Sequence, residues 1–368
     1  MRRASWRWGA ATAVVAVLVA LPSMAGALPV HVPAVAPAEL LTRIRASSSV
    51  GWSGYTESTG TLVLPDVKEL STLPALLGGT TRMRAWWRGA RDWRVDTLSL
   101  ASEVDTTRDD DGGWTWDPGN QRATRLYGTL DVHLPLPSDL LPPVLGRRLA
   151  GAKDVTVASL PGRRIAGRSA AGIRLSPKVP DTTTIAAVDI WAEPRTGLPL
   201  RVDVLARGAR RAAVSSTLLD LSLSRPGTAL TAFEPPPYTD IRVNEAPDIA
   251  ARINQFSPYS LPDELIGSRR RDVLRAVRPG GGIATYGAGL TSFAVLPLPR
   301  SISGRLMSAL APTGGDGTRG EITTPLMNAV VDRIGDRTYL VAGTVPLSML
   351  DRVLDQLRAS PPIRLEDQ

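Results

Sequence analysis

The chain has 368 residues with a formal charge of +8, three units of which belong to Arg2, Arg3 and Arg7, and no cysteine at all. The missing thiols exclude disulfides, thiolate metal centres and a lipidated N-terminal cysteine. The charge mixed along the rest is too mild for a nucleic-acid binder, yet it allows peripheral attraction to an anionic membrane surface.

Arg2, Arg3 and Arg7, the apolar run Ala10 to Leu21 and the small residues Ser23 to Ala27 make residues 1–27 an expected export signal, with an uncleaved anchor as the alternative. The mature chain is then extracytoplasmic. Leu40, Leu41 and Ile44 stand at helical spacing in a short amphipathic helix from Pro37. Trp52 to Leu64 alternates as a long strand, and Leu70 to Leu77 is apolar and irregular, as in a lid helix or loop.

Arg82 to Asp117 holds five of the nine tryptophans in a chain with only three phenylalanines. Five such side chains represent on the order of 1,000 Å² of apolar surface, at roughly 200 Å² each, more than a monomer usually exposes. They must cover something, either an ordinary core or a cavity for an apolar ligand. Met83, Ala85 and Trp87 alternate with Arg82, Arg84, Trp86 and Arg88; Gly89-Ala90 turns the chain, and Trp93 and Val95 alternate with Arg94 and Asp96. A second turn at Asp110 to Gly113 leads to a strand with Trp114 and Trp116 on one face.

The leucine-rich stretch from Leu134 to Gly151, broken by Pro135, Pro137, Pro142 and Pro143, predicts short helices lying over a sheet. A run of strands follows from Asp154 to Leu223, with explicit turns at Glu193 to Gly197 and Arg207 to Arg210. Some ten antiparallel strands with two apolar helical segments predict one large curved sheet covered by helices on its concave face. Prolines at 235, 236, 237, 247, 258 and 262 mark residues 239–261 as a linker. Asp263 to Val277 has the spacing of an amphipathic helix carrying Arg269, Arg270 and Arg271, either a solvated face or a grip for lipid phosphates or an acidic partner. Strands at 282–286, 290–296 and 337–343 and a helix at 346–357 complete the chain.

The succession AWWRGARDWRV, WTWDPGNQRATRL and VDIWAEPRTGLPLRVDVLARG resembles the LolA-type half-barrel shared by lipoprotein carriers and the N-terminal domain of RseB/MucB regulators. The resemblance covers residues 38–238. GAGLTSFAVLPLP and TYLVAGTVPLSMLDRVLDQL resemble the RseB/MucB C-terminal domain over 262–368, with a glycine-rich insertion at 311–320 and a long linker as departures. It implies a mainly β (α+β) fold, a lipid or acylated ligand, and a membrane-anchored anti-sigma-factor-like protein as partner; a LolA-like lipid or lipoprotein carrier is the alternative.

Trp87, Trp93, Val95, Trp114, Trp116 and Trp191 are the expected cavity lining, each with plain core packing as the competing role. Arg269, Arg270 and Arg271 are the expected partner contacts. Catalytic machinery is not legible. His31 and His133 lack companions at metal-ligand spacing, no nucleophile elbow occurs, Arg278 to Gly282 lacks the ending of a phosphate loop, and Asp109 to Gly112 lacks the later ligands of a calcium loop. No metal and no cofactor is expected.

Overall fold

The computed structural model describes residues 32–33, 35–64, 72–100, 102–128, 135–245, 259–272, 283–298, 300–310, 319–335, 337–359 and 363–364. The expected signal, both histidines, the stretch Arg278 to Gly282 and nearly all of the glycine-rich insertion lie outside these residues.

Helix α1 (Pro37–Ala46) begins on a proline, whose missing N–H costs nothing in a first turn, and buries Leu40, Leu41 and Ile44 as the spacing predicts. Strand β1 (Trp52–Gly60) precedes α2 (Thr72–Gly78), the lid-like segment. The tryptophan meander follows as β2 (Thr80–Gly89), β3 (Asp92–Leu98), β4 (Glu103–Arg108), β5 (Gly112–Asp117) and β6 (Arg122–Tyr127). Helix α3 (Pro142–Ala150) starts on two prolines and crosses to strands of the second half: β7 (Val155–Ile165), β8 (Arg168–Pro177), β9 (Ile185–Ala192), β10 (Pro199–Ala206) and β11 (Ala212–Ser222).

These strands join one sheet in the order β6-β5-β4-β3-β2-β1-β11-β10-β9-β8-β7. One edge gains β12 (Asp240–Glu245), which runs parallel to β6 from Asp240 beside Arg122 to Glu245 beside Tyr127. Half a dozen residues expected in a linker are therefore a twelfth strand. Proline spacing conceals it, because Pro235 to Pro237 end before the strand starts.

Helices α1, α2 and α3 cover one face of this sheet. Under α1 and α3, Leu40, Leu41 and Ile44 pack with Ile173, Val188, Ile190, Val202 and Val204. Farther along, Leu76, Leu140 and Leu141 pack with Trp52, Met83, Ala85 and Trp87. The turn between β9 and β10 is pinned to α1. Gly197 sits at φ +70°, and a Cβ there would lie 2.3 Å from the backbone of Arg43, whose guanidinium donates to the Pro194 carbonyl. Gly197→Ala combines backbone strain with overpacking and is expected to cost about 2–4 kcal/mol, the sum of those two effects. Urea unfolding of the variant measures it.

The second sheet has seven strands: β14 (Glu264–Leu265), β15 (Ser268–Asp272), β16 (Ala284–Ala288), β17 (Thr291–Leu298), β20 (Arg337–Gly343), β19 (Asn328–Ile334) and β18 (Arg319–Thr323) in spatial order. Helices α4 (Arg300–Ala309) and α5 (Leu347–Ala359) pack on it, and β13 (Tyr259–Ser260) pairs with β21 (Ile363–Arg364). The expected helix at 263–277 is a correction, since Glu264 to Asp272 is a β-hairpin. Ile266 (φ +45°) and Gly267 (φ +74°) form a two-residue turn that a helix cannot contain.

The two sheets meet at Thr183. Its hydroxyl lies 2.6 Å from the Leu290 carbonyl and 2.8 Å from that of Thr344. Thr184 N–H also donates to Thr344, and the Thr184 hydroxyl to Leu326. Leu290 and Leu326 belong to the hydrophobic core of the twelve-stranded sheet.

Candidate ligand site on the helix-covered face

Cross-strand register brings three tryptophans together. Trp52 opposes Trp87, and Trp87 opposes Trp93. The rings stack in series, Trp52 to Trp87 at 6.3 Å between centroids and Trp87 to Trp93 at 5.6 Å with planes 3° apart. Trp52 and Trp87 are buried, while Trp93 is half-buried at the open end. Val95, buried, lies two residues on from Trp93 and so on the same face, beside Ala85. From α3, the Arg147 guanidinium lies over Trp87 at 5.5 Å. Burial alone, with no carboxylate to offset it, pushes that guanidinium down to about 10.

Trp114 and Trp116 lie elsewhere, and Trp191, although it belongs to the same hydrophobic cluster as Trp87, enters it from a row of the opposite register. Trp93 and Val95 share their face with Arg108 and Thr106, whereas Trp114 and Trp116 oppose Thr107 and Asp105. Alternation therefore puts Trp114 and Trp116 on the outer face. There Phe233, on the segment leading to β12, packs against both at 5.5 and 6.1 Å. Arg125 stacks over Trp114 while its two nitrogens bind Asp109 at 2.6 and 2.9 Å, holding that carboxyl below its ordinary range. Trp191 shares a row with Arg201, Thr217, Glu57 and Arg82, again opposite to Trp87. Its indole lies against Gly172, donates to the Pro161 carbonyl at 3.0 Å and carries Arg163 over its ring. The structure thus brings together Trp87, Trp93 and Val95, with Trp52 and Arg147 as members that sequence reasoning missed.

Arg269, Arg270 and Arg271 occupy β15, so they alternate. Arg270 is turned in, paired with Asp263 at 2.9 Å and donating to the Leu261 carbonyl, while Arg269 and Arg271 are exposed.

The outer face also holds a carboxylate set. Asp96 and Asp105 oppose one another across β3 and β4, an unfavourable like-charge pair, with Glu103 close by. Arg94 bridges the pair at 2.6 and 2.8 Å and stacks over Trp86. Burial, and then the charge of Asp96, raise the Asp105 carboxyl to about 7. Between the ordinary carboxylate range near 3.8 and about 7, the folded chain holds a proton that the unfolded chain has released. Stability therefore falls as pH rises through that window, by at most about 1.4 kcal/mol per pH unit. Asp105→Asn is expected to flatten this slope and raise the melting temperature at pH 7, as thermal unfolding between pH 4.5 and 7.5 will show.

No family model matches the sequence, and no curated protein matches it significantly. Solved structures do. The MucA/MucB complex of Pseudomonas aeruginosa aligns with TM-score 0.50 and 17% identity over 86% of this chain and 96% of that one. MucB in complex with MucA(peri) aligns at 0.48 and 18% identity, over 86% and 97%. A LolA superfamily protein from Nitrosomonas europaea aligns at 0.25 and 12% identity, over 54% and 99%. The class is a mainly β protein built on an open, helix-covered half-barrel. The fold, extending through the second sheet, is of the RseB/MucB type. No helix among the described residues is long and apolar enough to cross a membrane.

Proposed function

We propose that this chain is an exported, non-enzymatic regulatory protein of the cell envelope. Its helix-covered face takes a lipid acyl chain along the Trp52, Trp87 and Trp93 stack. Its two sheets together bind the extracytoplasmic segment of a membrane-anchored regulator of the anti-sigma-factor class. The proposed division is a removable signal at 1–27, a half-barrel domain at 38–238 extended by β12, and a C-terminal domain at 262–368.

The observation that carries the proposal is the second sheet docked through Thr183 onto a half-barrel. A carrier of lipids or lipoproteins needs only the half-barrel. A second domain sharing core residues with the first implies a second binding event, coupled to the first if the acyl ligand has different affinity for two arrangements of the sheets. The neighbouring structure being a complex of MucB with MucA supports the same assignment. Arg269 and Arg271, exposed side by side on β15, are proposed for the charged part of the contact.

Crosslinking in the native membrane, followed by mass spectrometry, tests the proposal. The expected result is a membrane-anchored protein crosslinked through its extracytoplasmic segment to residues of both sheets, its yield changed by added lipid. Crosslinks to lipoproteins alone, all from the twelve-stranded sheet, favour the carrier.

A further inference from the structure

Arg147 differs from the guanidiniums that are ion-paired on the half-barrel. Arg94 has Asp96 and Asp105, Arg125 has Asp109, Arg174 has Asp189 and Arg201 has Asp203. Arg147 has no acid, and its Nη1 is buried with no hydrogen-bond partner. Its neighbours are in the same condition. The indole Nε1 atoms of Trp87, directly beneath it, and of Trp52, stacked on Trp87, are also buried and unpartnered.

An indole nitrogen only donates, and so does a guanidinium. Three buried donors, one of them charged, therefore belong to one run of packed side chains on the helix-covered face, each without an acceptor. Orphaned buried donors cost folding free energy, and a folded core gains nothing from them. A ligand head carrying negative charge and more than one acceptor oxygen supplies what this run of donors lacks. Met83, Ala85, Val95, Leu140 and Leu141 wall the same stack, so the rest of the ligand must be apolar.

We propose that Arg147, with the indole N–H groups of Trp87 and Trp52, receives the acidic head of the acyl ligand, a carboxylate or a phosphate monoester. The assignment rests on the acyl-binding function proposed above and restricts it to acidic amphiphiles. Neutral lipids of the same chain length offer an acceptor oxygen but no charge to the guanidinium, and bind more weakly. Desolvation of the site strengthens the preference, because a charge-assisted hydrogen bond gains strength where water is excluded.

The test titrates the full-length protein with oleate, 1-oleoyl lysophosphatidate and oleyl alcohol below their micelle concentrations, following tryptophan fluorescence. The wild type is expected to bind both acids at least tenfold more tightly than the alcohol, and the tighter acid identifies the head group. Arg147→Met is expected to abolish that preference, so that the two acids and the alcohol then bind within threefold of one another. Arg147→Lys, which keeps the charge and guards against a folding defect in the methionine variant, is expected to restore part of it. Equal affinity of the wild type for acids and alcohol, or an unchanged preference in Arg147→Met, overturns the head-group assignment and leaves the acyl site standing. Saturable binding of none of the three overturns both.

Discussion

Trp87→Ala is expected to cost about 3–5 kcal/mol of folding stability, the range for truncating a large buried aromatic, whereas Trp93→Ala costs less than half of that. Trp87 is 5% exposed and stacked on both sides, between Trp52 and Trp93, with Arg147 nearby. Its removal opens a cavity that neither ring can fill, since the backbone fixes both at neighbouring positions of the sheet. Trp93 ends the series and is half-buried, so its loss removes contact area without leaving an enclosed void. If the stack is an acyl-binding surface, Trp93→Ala weakens acyl binding at least tenfold while remaining folded. Paired urea denaturation and fluorescence titration separate these effects. Equal stability losses, with acyl binding intact in Trp93→Ala, would make the stack a core alone.

The second large effect is expected at the junction of the sheets. Leu290 belongs by sequence to the turn between β16 and β17, yet its side chain is 4% exposed and packs in the core of the other sheet. Leu290→Asp places a carboxylate in this apolar core, at a cost expected to reach about 4 kcal/mol or more. The loss falls on the contact by which the second sheet enters the core of the first. The expected signature is therefore a melting curve that splits into two transitions, one for each sheet, in place of a single one. Thr183→Val removes only the hydroxyl that ties Thr183 to Leu290 and Thr344 and is expected to cost about 1–3 kcal/mol, the usual range for orphaned partners. A Leu290→Asp protein that melts in one transition at the wild-type midpoint would mean that the sheets are energetically independent.

The meander was legible because alternation of Met83, Ala85 and Trp87 with Arg82, Arg84 and Trp86 leaves no doubt about period two, and β2 and β3 follow it. Helix α5 was legible for the same reason at period 3.6, with Leu350, Val353, Leu354 and Leu357 buried. Alternation says which residues of one strand share a face, but not which face of the next strand continues it. That depends on register, and register across β4 sends Trp114 and Trp116 to the side opposite Trp87. The hairpin at Glu264 to Asp272 was hidden because Leu265, Ile266 and Leu274 also fit a helical stripe. Gly267, directly after Ile266, was the signal against it. Arg147 gave no signal, since its distinction is the absence of a nearby acid, a property of the folded chain. Helix α4, β12, β18 and β19 were not anticipated from the sequence.

Native mass spectrometry of the full-length protein, released from its own cell envelope without detergent, tests the central claim most directly. The account predicts a one-to-one complex with a lipid-sized acidic molecule, displaced by oleate and reduced by Trp93→Ala and Arg147→Met. A protein that carries only its own mass, and that oleate neither binds nor quenches, would contradict it.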